Sequence, residues 1–482
     1  MLAVLPKGTN PLDHTVNQRV LALSETCGVN LYIVGGYLRD ALLGRFNAHS
    51  KPKDIDYAVA DGSAFDFAKR VADELHGHFV PLDESSDTAR VVLTDEAVSM
   101  DFAGCVGGSI ETDVLRRDFT INALVWNSRE PNTVTDLVGG IEDLKSLTIR
   151  AISENTFVED PLRVLRAYRF AASLGAKIEP ETFAWVNKHA NGLKSVAAER
   201  INLELFTALS HSASEIVMSM GAAGILEIIF PELIETRKVT TNSFHHLGLF
   251  EHSLETIPQL EKRLKLVPDW VLAGASKELS YGVSRLSATK VACILHDIGK
   301  PATWAINEDG RHTFYAHDSL GAEMCEVVAD RMKWSRPVER FITKLVKWHL
   351  RPGALFHQGP PTEKAVRRFY RSVGEDVPEL MLLAFADFGA TCGPGLLEEN
   401  RIALEKNWIE LLENYSVYLN EDRQRTRLID GNRLMKLLSI PAGPIIGEIL
   451  SALDEAQEFK EVRNVSEAEA FVKNLYREKY FK

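Results

Sequence analysis

The chain is poor in cysteine, with only Cys27, Cys105, Cys293, Cys325 and Cys392 in 482 residues, and no two stand in a C-x-x-C spacing. That scatter argues against a disulfide scaffold or a thiolate zinc framework and fits reduced core thiols. Long apolar runs are also absent. None approaches the roughly 20 residues a membrane helix needs, so no membrane partner is expected. The opening stretch, MLAVLPKGTNPLDHTVNQ, lacks the basic region, apolar core and small-residue site of a secretion signal, so the expected compartment is the cytoplasm. Positive charge is not in excess either, the formal net charge being -12. A polyanionic substrate would therefore have to be held by a local basic surface. One stretch qualifies: residues 331 to 371 carry eleven Lys or Arg against Glu339 and Glu363. Its plainer reading is a solvated helical face beside counter-charged neighbours. No internal repeat, low-complexity tract or heptad array occurs, and nothing assigns an oligomeric state.

What is present is a long globular chain, enough for three or more domains. Residues 1–150 mix short β-rich runs (LYIVGG, IDYAVA, ARVVLT, VSMDFA, NALVWN) with the helical AFDFAKRVADELHG, which predicts an α/β or α+β domain. Beyond residue 151 amphipathic patterns such as PLRVLRAYRFAASLG and RFITKLVKWHL predict a nearly all-helical remainder. Breaks at residues 231–246 and 391–395 divide it, so that 151–235, 236–395 and 396–482 follow the head as separate helical regions.

The most specific signal lies in IVGGYLRDALLGRFNAHSKPKDIDYAVA, residues 33–60. Side chains at i and i+2 of a strand share a face, so Asp54 and Asp56 can converge on a metal ion. Magnesium suits them, as a hard ion that takes its remaining oxygens from water and phosphates, and such a site can neutralise a leaving pyrophosphate. Asp101, in VSMDFA, offers a third carboxylate. Gly35 and Gly36 close the first strand and open a helix whose free N–H groups suit phosphate, with Arg39 one turn in. Alone, a D-x-D or a G-G pair is an ordinary strand-end or turn feature. The order G-G-x-x-R-D, K-D-x-D, RRDFTIN (116–122) and DLVGGIEDL (136–144) is far more restrictive.

With these motifs in that order, residues 30–215 resemble the class II tRNA nucleotidyltransferase and poly(A) polymerase family of the polymerase-β-like superfamily. The resemblance implies an α+β fold: a nucleotidyltransferase head with a mixed sheet, followed by a mostly helical body. It places Gly36 and Arg39 on the triphosphate, Asp54 and Asp56 on the metal, and Arg117 and Asp118 around the nucleotide, with Asn122 in support. The DLVGGIEDL segment is expected to be a hinge and packing turn without chemistry.

VEDPLRVLRAYRF (158–170) is expected to open a helix, with Asp160 and Arg163 three apart on one face. A carboxylate accepts hydrogen bonds and a guanidinium donates them. Together they match cytosine or adenine, whereas guanine and uracil would leave buried groups unpaired. Taken alone, the pattern is a surface ion pair at a helix start. Its place after the other motifs matches the family's base-selecting motif, in which Asp160 and Arg163 read incoming CTP or ATP and Arg166 lies near the phosphates. Other residues of that helix are expected in the core.

FEHSLETI, ILHDIGKPATW, AHDSLGAE, KWHLRPG and AFADFGA supply His252, His296, Asp297, His317, His349 and Asp387. A solitary histidine on an apolar helix is ordinarily a core residue, but the adjacent His296-Asp297 pair with flanking histidines resembles an HD-type metal phosphohydrolase. That likeness implies a first shell of His252, His296, Asp297 and Asp387, with His317 and His349 accessory. The donor set suits Mn2+, Co2+, Ni2+ or Mg2+.

The combined reading is a tRNA 3'-end nucleotidyltransferase that uses CTP and ATP without a nucleic-acid template. A CC-adding-only or A-adding enzyme, a poly(A) polymerase, and an HD phosphohydrolase with a nucleotide-sensing head are the alternatives. The resembled family's A-adding members usually carry a long flexible segment before R-R-D, whereas here only FAGCVGGSIETDVL, residues 102–115, separates Asp101 from Arg116, leaving little chain for a lever that would reshape the pocket for adenine. Efficient C addition and weak A addition are therefore expected, unless LDESSDTAR (82–90) serves as the mobile segment.

Overall fold

The computed structural model describes residues 2–6, 9–45, 54–239, 247–308, 312–391, 398–424 and 426–480. Cys392 and much of the two expected inter-domain breaks, 240–246 and 392–395, lie outside them. The chain divides into two compact units: residues 1–348 with 385–394, and residues 349–384 with 395–482. This differs from the four expected regions, because head, neck and the larger part of the histidine-rich region share one unit.

The head carries eight strands: β1 (Leu2–Val4), β2 (Leu31–Val34), β3 (Asp54–Val59), β4 (His78–Asp83), β5 (Thr88–Leu93), β6 (Val98–Gly104), β7 (Leu124–Asn127) and β8 (Thr133–Asp136). Their order is β1-β8-β7-β2-β3-β6-β5-β4, and the β3–β6 pair is parallel while its neighbours are antiparallel, giving the expected mixed sheet. All five strand-like runs read from the sequence form strands. β1, β4 and β8 were not singled out; β4 carries a proline and is exposed along most of its length, so it shows no alternation to read.

Alternation explains the two faces. Ile55, Tyr57 and Val59 of β3 and Met100 and Phe102 of β6 are buried in the main core, where the Tyr57 and Phe102 rings stack at 4.9 Å. Helices α1 (Thr15–Cys27), α2 (Gly36–Leu42) and α3 (Ala64–Leu75) contribute to this core through residues such as Val20, Leu38 and Val71. Each fully buried aromatic or aliphatic side chain adds roughly 1.5–3 kcal/mol. On the opposite face a smaller cluster joins Val34, Ala58 and Val125 to Ile110 and Val114 of α4 (Ile110–Val114). By β-sheet periodicity that face also carries Asp54, Asp56 and Asp101.

Helix α5 (Gly140–Lys145) follows the DLVGGIEDL turn. Both Asp136 carboxylate oxygens accept from the backbone N–H groups of residues 138–141, and a Cβ on Gly140 would run into the Thr120 carbonyl. The turn is thus pinned by packing. Next come α6 (Asn155–Glu159), α7 (Arg163–Leu174), α8 (Pro180–His189) and α9 (Ala198–Leu209). The helix expected to start at Glu159 and Asp160 begins at Arg163, after a turn over residues 161–162, and a short α6 precedes it. Glu159 ends α6, Asp160 is extended at φ -143°, and α7 begins at Arg163. The Asp160 side chain accepts from the Leu162 N–H, forming a local turn that competes with helix.

The histidine-bearing helices of the first unit are Leu249–Leu264, Arg285–Leu295, His317–Arg331 and residues 385–390 of the helix Val377–Ala390. The second unit is helical, with one core around Leu434, Ile449, Leu453, Val462 and Val472. The basic stretch of residues 331–371 is heavily neutralised: Arg331 pairs with Glu232, Arg336 with Glu339, Arg367 with Glu421, and Arg368 with Glu455. Its plainer reading therefore holds for those residues. Among the described residues no helix is long and apolar enough to cross a membrane.

Candidate active site and metal centre

A pocket of about 640 Å³ opens on the head, and its wall bears six arginines and four aspartates. That excess of cations suits a polyphosphate. Asp54 and Asp56 lie at the start of β3, Asp54 exposed and Asp56 half-buried. Burial raises the Asp56 carboxyl above its usual range; Arg117 opposes this, and the like charges of Asp101 and Asp54 add to it. A half-buried Asp56 that resists its own ionisation, with a second carboxylate beside it, is suited to a divalent cation. The turn is shaped to the pair: Gly35 sits at φ 77°, ψ -145°, and a Cβ there would lie 2.6 Å from Asp56 Oδ2. Only glycine leaves room for that carboxylate.

Asp101 is the register partner of Asp56 across β3 and β6, as a third carboxylate should be. Its oxygens, however, accept from Arg90 Nε and Nη2 at 2.6 and 2.7 Å. Among the described residues it forms no common cluster with Asp54 and Asp56.

The remaining sequence-selected residues form a chain of hydrogen bonds. Arg39 is held by Asp40 and donates to Asn122 Oδ1 at 2.8 Å. Asn122 donates to Asp118, whose other oxygen accepts from Arg166 Nη2 at 2.6 Å. Asp118 is buried, which works against its charge, yet Arg166 beside it wins and holds the carboxyl below the usual range. Arg117 is anchored by Asp113. Gly36 packs against the Arg39 guanidinium. Asp160 and Arg163 line the same pocket but do not bond side chain to side chain: Asp160 Oδ2 accepts from Arg200 at 2.8 Å, and Arg163 donates to the carbonyls of Thr156 and Arg116. Asp160 and Arg163 are thus each oriented by separate neighbours.

Sequence reasoning passed over Arg169, Phe170, Arg200 and Glu204. Glu204 is 4% exposed and pairs with Arg166 and Arg169, while the guanidiniums of Arg39, Arg166 and Arg169 lie 5.2, 5.4 and 4.0 Å from the Phe170 ring centre. The Arg200 and Glu204 pair, four apart in an amphipathic helix, was the available signal, but it looks like a surface ion pair until α9 is seen against α7.

In the histidine region, His252 Nε2 lies 3.1 Å from Asp387 Oδ1, and His296 Nε2 lies 3.1 Å from Asp297 Oδ2 and 3.5 Å from Asp387 Oδ1. Ligand atoms of His252, His296 and Asp387 fall within 4.8 Å of one another. His296 Nδ1 is 2.8 Å from the Cys293 carbonyl, and His317 Nδ1 is 2.7 Å from that of Phe314. These contacts make Nδ1 the donor and aim Nε2 at the acids, where it holds a proton in the metal-free cluster and would offer its lone pair to a metal that displaced that proton. His317 Nε2 is 3.4 Å from Asp297 Oδ1, and Lys300 Nζ is 2.6 Å from Asp297 Oδ2. Burial opposes a charged His296, but Asp297 overrides it and lifts the imidazole to about 10. The cluster therefore favours a cation, and its donors fit a divalent metal. His349 is buried and follows directly on the helix Arg336–Trp348, in the second unit.

A mixed-sheet head with an aspartate pair against a glycine turn, joined to a helical body with an HD-type cluster, defines a nucleotidyltransferase. The chain matches the families described as Poly A polymerase head domain over residues 31–150, Probable RNA and SrmB-binding site of polymerase A over 175–236, and HD domain over 249–387. It is 35% identical to the A-adding tRNA nucleotidyltransferase of Deinococcus radiodurans, over 91% of this chain and 94% of that protein. It is 31% identical to the CC-adding tRNA nucleotidyltransferase of Thermus thermophilus, over 91% and 92%. Its fold is shared with a Thermotoga maritima CCA-adding enzyme complexed with tRNA, at a TM-score of 0.64 over 98% of this chain and 99% of that one, with 22% identity. The chain belongs to the tRNA nucleotidyltransferase family.

Proposed function

We propose that the protein adds CMP, and to a lesser degree AMP, to the 3' end of tRNA from CTP and ATP, the protein itself serving as template. The carrying observation is the single pocket that joins the Asp54/Asp56 pair to Asp160 and Arg163. Asp160 would accept the exocyclic amino group of cytosine or adenine, and Arg163 would donate to the ring acceptor. Arg200 keeps the Asp160 carboxylate aimed, and the carbonyls of Thr156 and Arg116 do the same for Arg163. Arg39, Arg117 and Arg166 supply positive charge for the triphosphate. Asp54 and Asp56 would hold magnesium, which neutralises the leaving pyrophosphate and lowers the cost of ionising the attacking hydroxyl. The preference for C rests on residues 102–115, which fold into the end of β6, a short turn and α4 and leave no long lever. An A-adding enzyme is the second reading, favoured by the Deinococcus radiodurans relative. Incubating the protein with either tRNA or oligoadenylate as primer tests the assignment: one to three nucleotides on tRNA support it, and a long adenylate tail on the oligomer refutes it.

The HD cluster is assigned to a second activity, phosphoester hydrolysis. His252, His296, Asp297 and Asp387 would hold a transition metal or magnesium, with His317 and His349 accessory. The functional regions are taken as a head to residue 150, a neck to 235, the HD region to 395 and a helical remainder. The expected compartment is the cytoplasm, where tRNA and nucleoside triphosphates are available.

A further inference from the structure

Arg90, Asp101 and Asp56 lie in one row across the sheet, since Arg90 is the register partner of Asp101 on β5 and Asp101 that of Asp56 on β3. Adjacent strands stand about 4.8 Å apart, so the row puts a guanidinium two strands from the metal-binding pair. Their shared face is turned away from the core side chains Ile55, Met100 and Val91. The Arg90–Asp101 pair is also accessible, with side-chain exposures of 43% and 34%, so exchanging partners exposes no buried charge.

Asp101 stands where a third metal-directed carboxylate belongs, but both its oxygens are taken by Arg90. Turning it toward a cation at Asp54 and Asp56 releases the Arg90 fork, with its five donors, beside the reaction centre. The RNA 3' end must approach that same face to reach the metal, and it brings phosphates that a guanidinium binds bidentately. We propose that Arg90 is a metal-gated RNA clamp: Asp101 holds it in the metal-free head, and when the metal draws Asp101 away it binds a backbone phosphate of the primer's 3' end. This rests on the tRNA-adding reading above and adds to it a contact that neither the nucleotide nor the metal makes.

The test is tRNA affinity, measured by fluorescence anisotropy without nucleoside triphosphate, so that no transfer occurs, in EDTA and in Mg2+. The wild type should bind more tightly in Mg2+, and Arg90→Gln should lose about tenfold in Mg2+, the size of one charge-assisted phosphate contact, while KM for CTP stays unchanged. Asp101→Asn should bind tRNA in EDTA nearly as tightly as the wild type does in Mg2+, because its arginine is already released. The double variant Arg90→Gln/Asp101→Asn should lose that gain. Equal affinity of wild type and Arg90→Gln in Mg2+ would overturn the clamp. So would an Asp101→Asn gain that survives in the double variant, since that would be simple removal of a negative charge. If the wild type neither binds nor extends tRNA, the parent assignment fails instead.

Discussion

Replacing Gly35 by alanine tests how tightly the turn is built around the Asp54/Asp56 pair. At φ 77°, ψ -145° the residue occupies a region open essentially to glycine, and a side chain there costs of order 1–3 kcal/mol. The added Cβ would also stand 2.6 Å from Asp56 Oδ2, against 3.4 Å for ordinary contact, so the carboxylate or the turn must yield by 0.8 Å. Displacements near 1 Å at reacting groups cost on the order of 100-fold in rate. Gly35→Ala should therefore lower single-turnover CMP transfer by about 100-fold while leaving tRNA affinity intact. Gly28→Ala is the control: φ is +67° and nothing lies within 4 Å of its Cβ, so it should lose about 1 kcal/mol of stability and no activity. Transfer by Gly35→Ala at close to the wild-type rate would refute the reasoning.

Asp54→Ala and Asp56→Ala should each lower nucleotide transfer by orders of magnitude without weakening tRNA binding, read by single-turnover transfer and by anisotropy. Asp160→Ala and Arg163→Ala should lose discrimination against UTP and GTP, and Arg200→Ala should do so more mildly because Asp160 stays but is no longer aimed; misincorporation ratios decide. His296→Ala should abolish metal binding at the HD cluster and any phosphoesterase activity while sparing nucleotide addition, checked by metal analysis and both assays. Asp118→Asn takes from Arg166 the closer of its two carboxylate partners, leaving Glu204 at 3.4 Å, and should cost about 3 kcal/mol at neutral pH. Because the folded Asp118 carboxyl is depressed, its stabilisation is complete above the ordinary carboxylate value and fades as pH falls through the folded one. Urea titrations should thus show the wild type's advantage over Asp118→Asn shrinking below about pH 4.

Where local pattern carried the information, the sequence was legible. Period-two alternation exposed β3 and β6 and put Asp54 and Asp56 on one face, and the G-G turn located the glycine that clears Asp56; that Asp101 shares this face was set by the β3–β6 register. What escaped was set by contacts distant in sequence. Arg200 reaches Asp160 across 40 residues, and Arg90 engages Asp101 across a strand pair, so neither partner is marked by spacing. The break between α6 and α7 was hidden because Asp160 and Pro161 read equally well as a helix start; the Asp160 side chain decides it by capping Leu162. The four-region division treated residues 236–395 as one region, whereas residues 349–384 group with the C-terminal helices, and no compositional change marks that boundary.

The central claim is tested most directly with tRNA transcripts ending before CCA, after C and after CC, each incubated with the pure protein, Mg2+ and one labelled triphosphate at a time. The account predicts efficient CMP transfer to the first two, weak AMP transfer to the third, and no incorporation of UMP or GMP. AMP transfer onto the CC-ending transcript as fast as CMP transfer onto the shorter ones would contradict the C preference. Failure to extend any of the three would contradict the assignment itself.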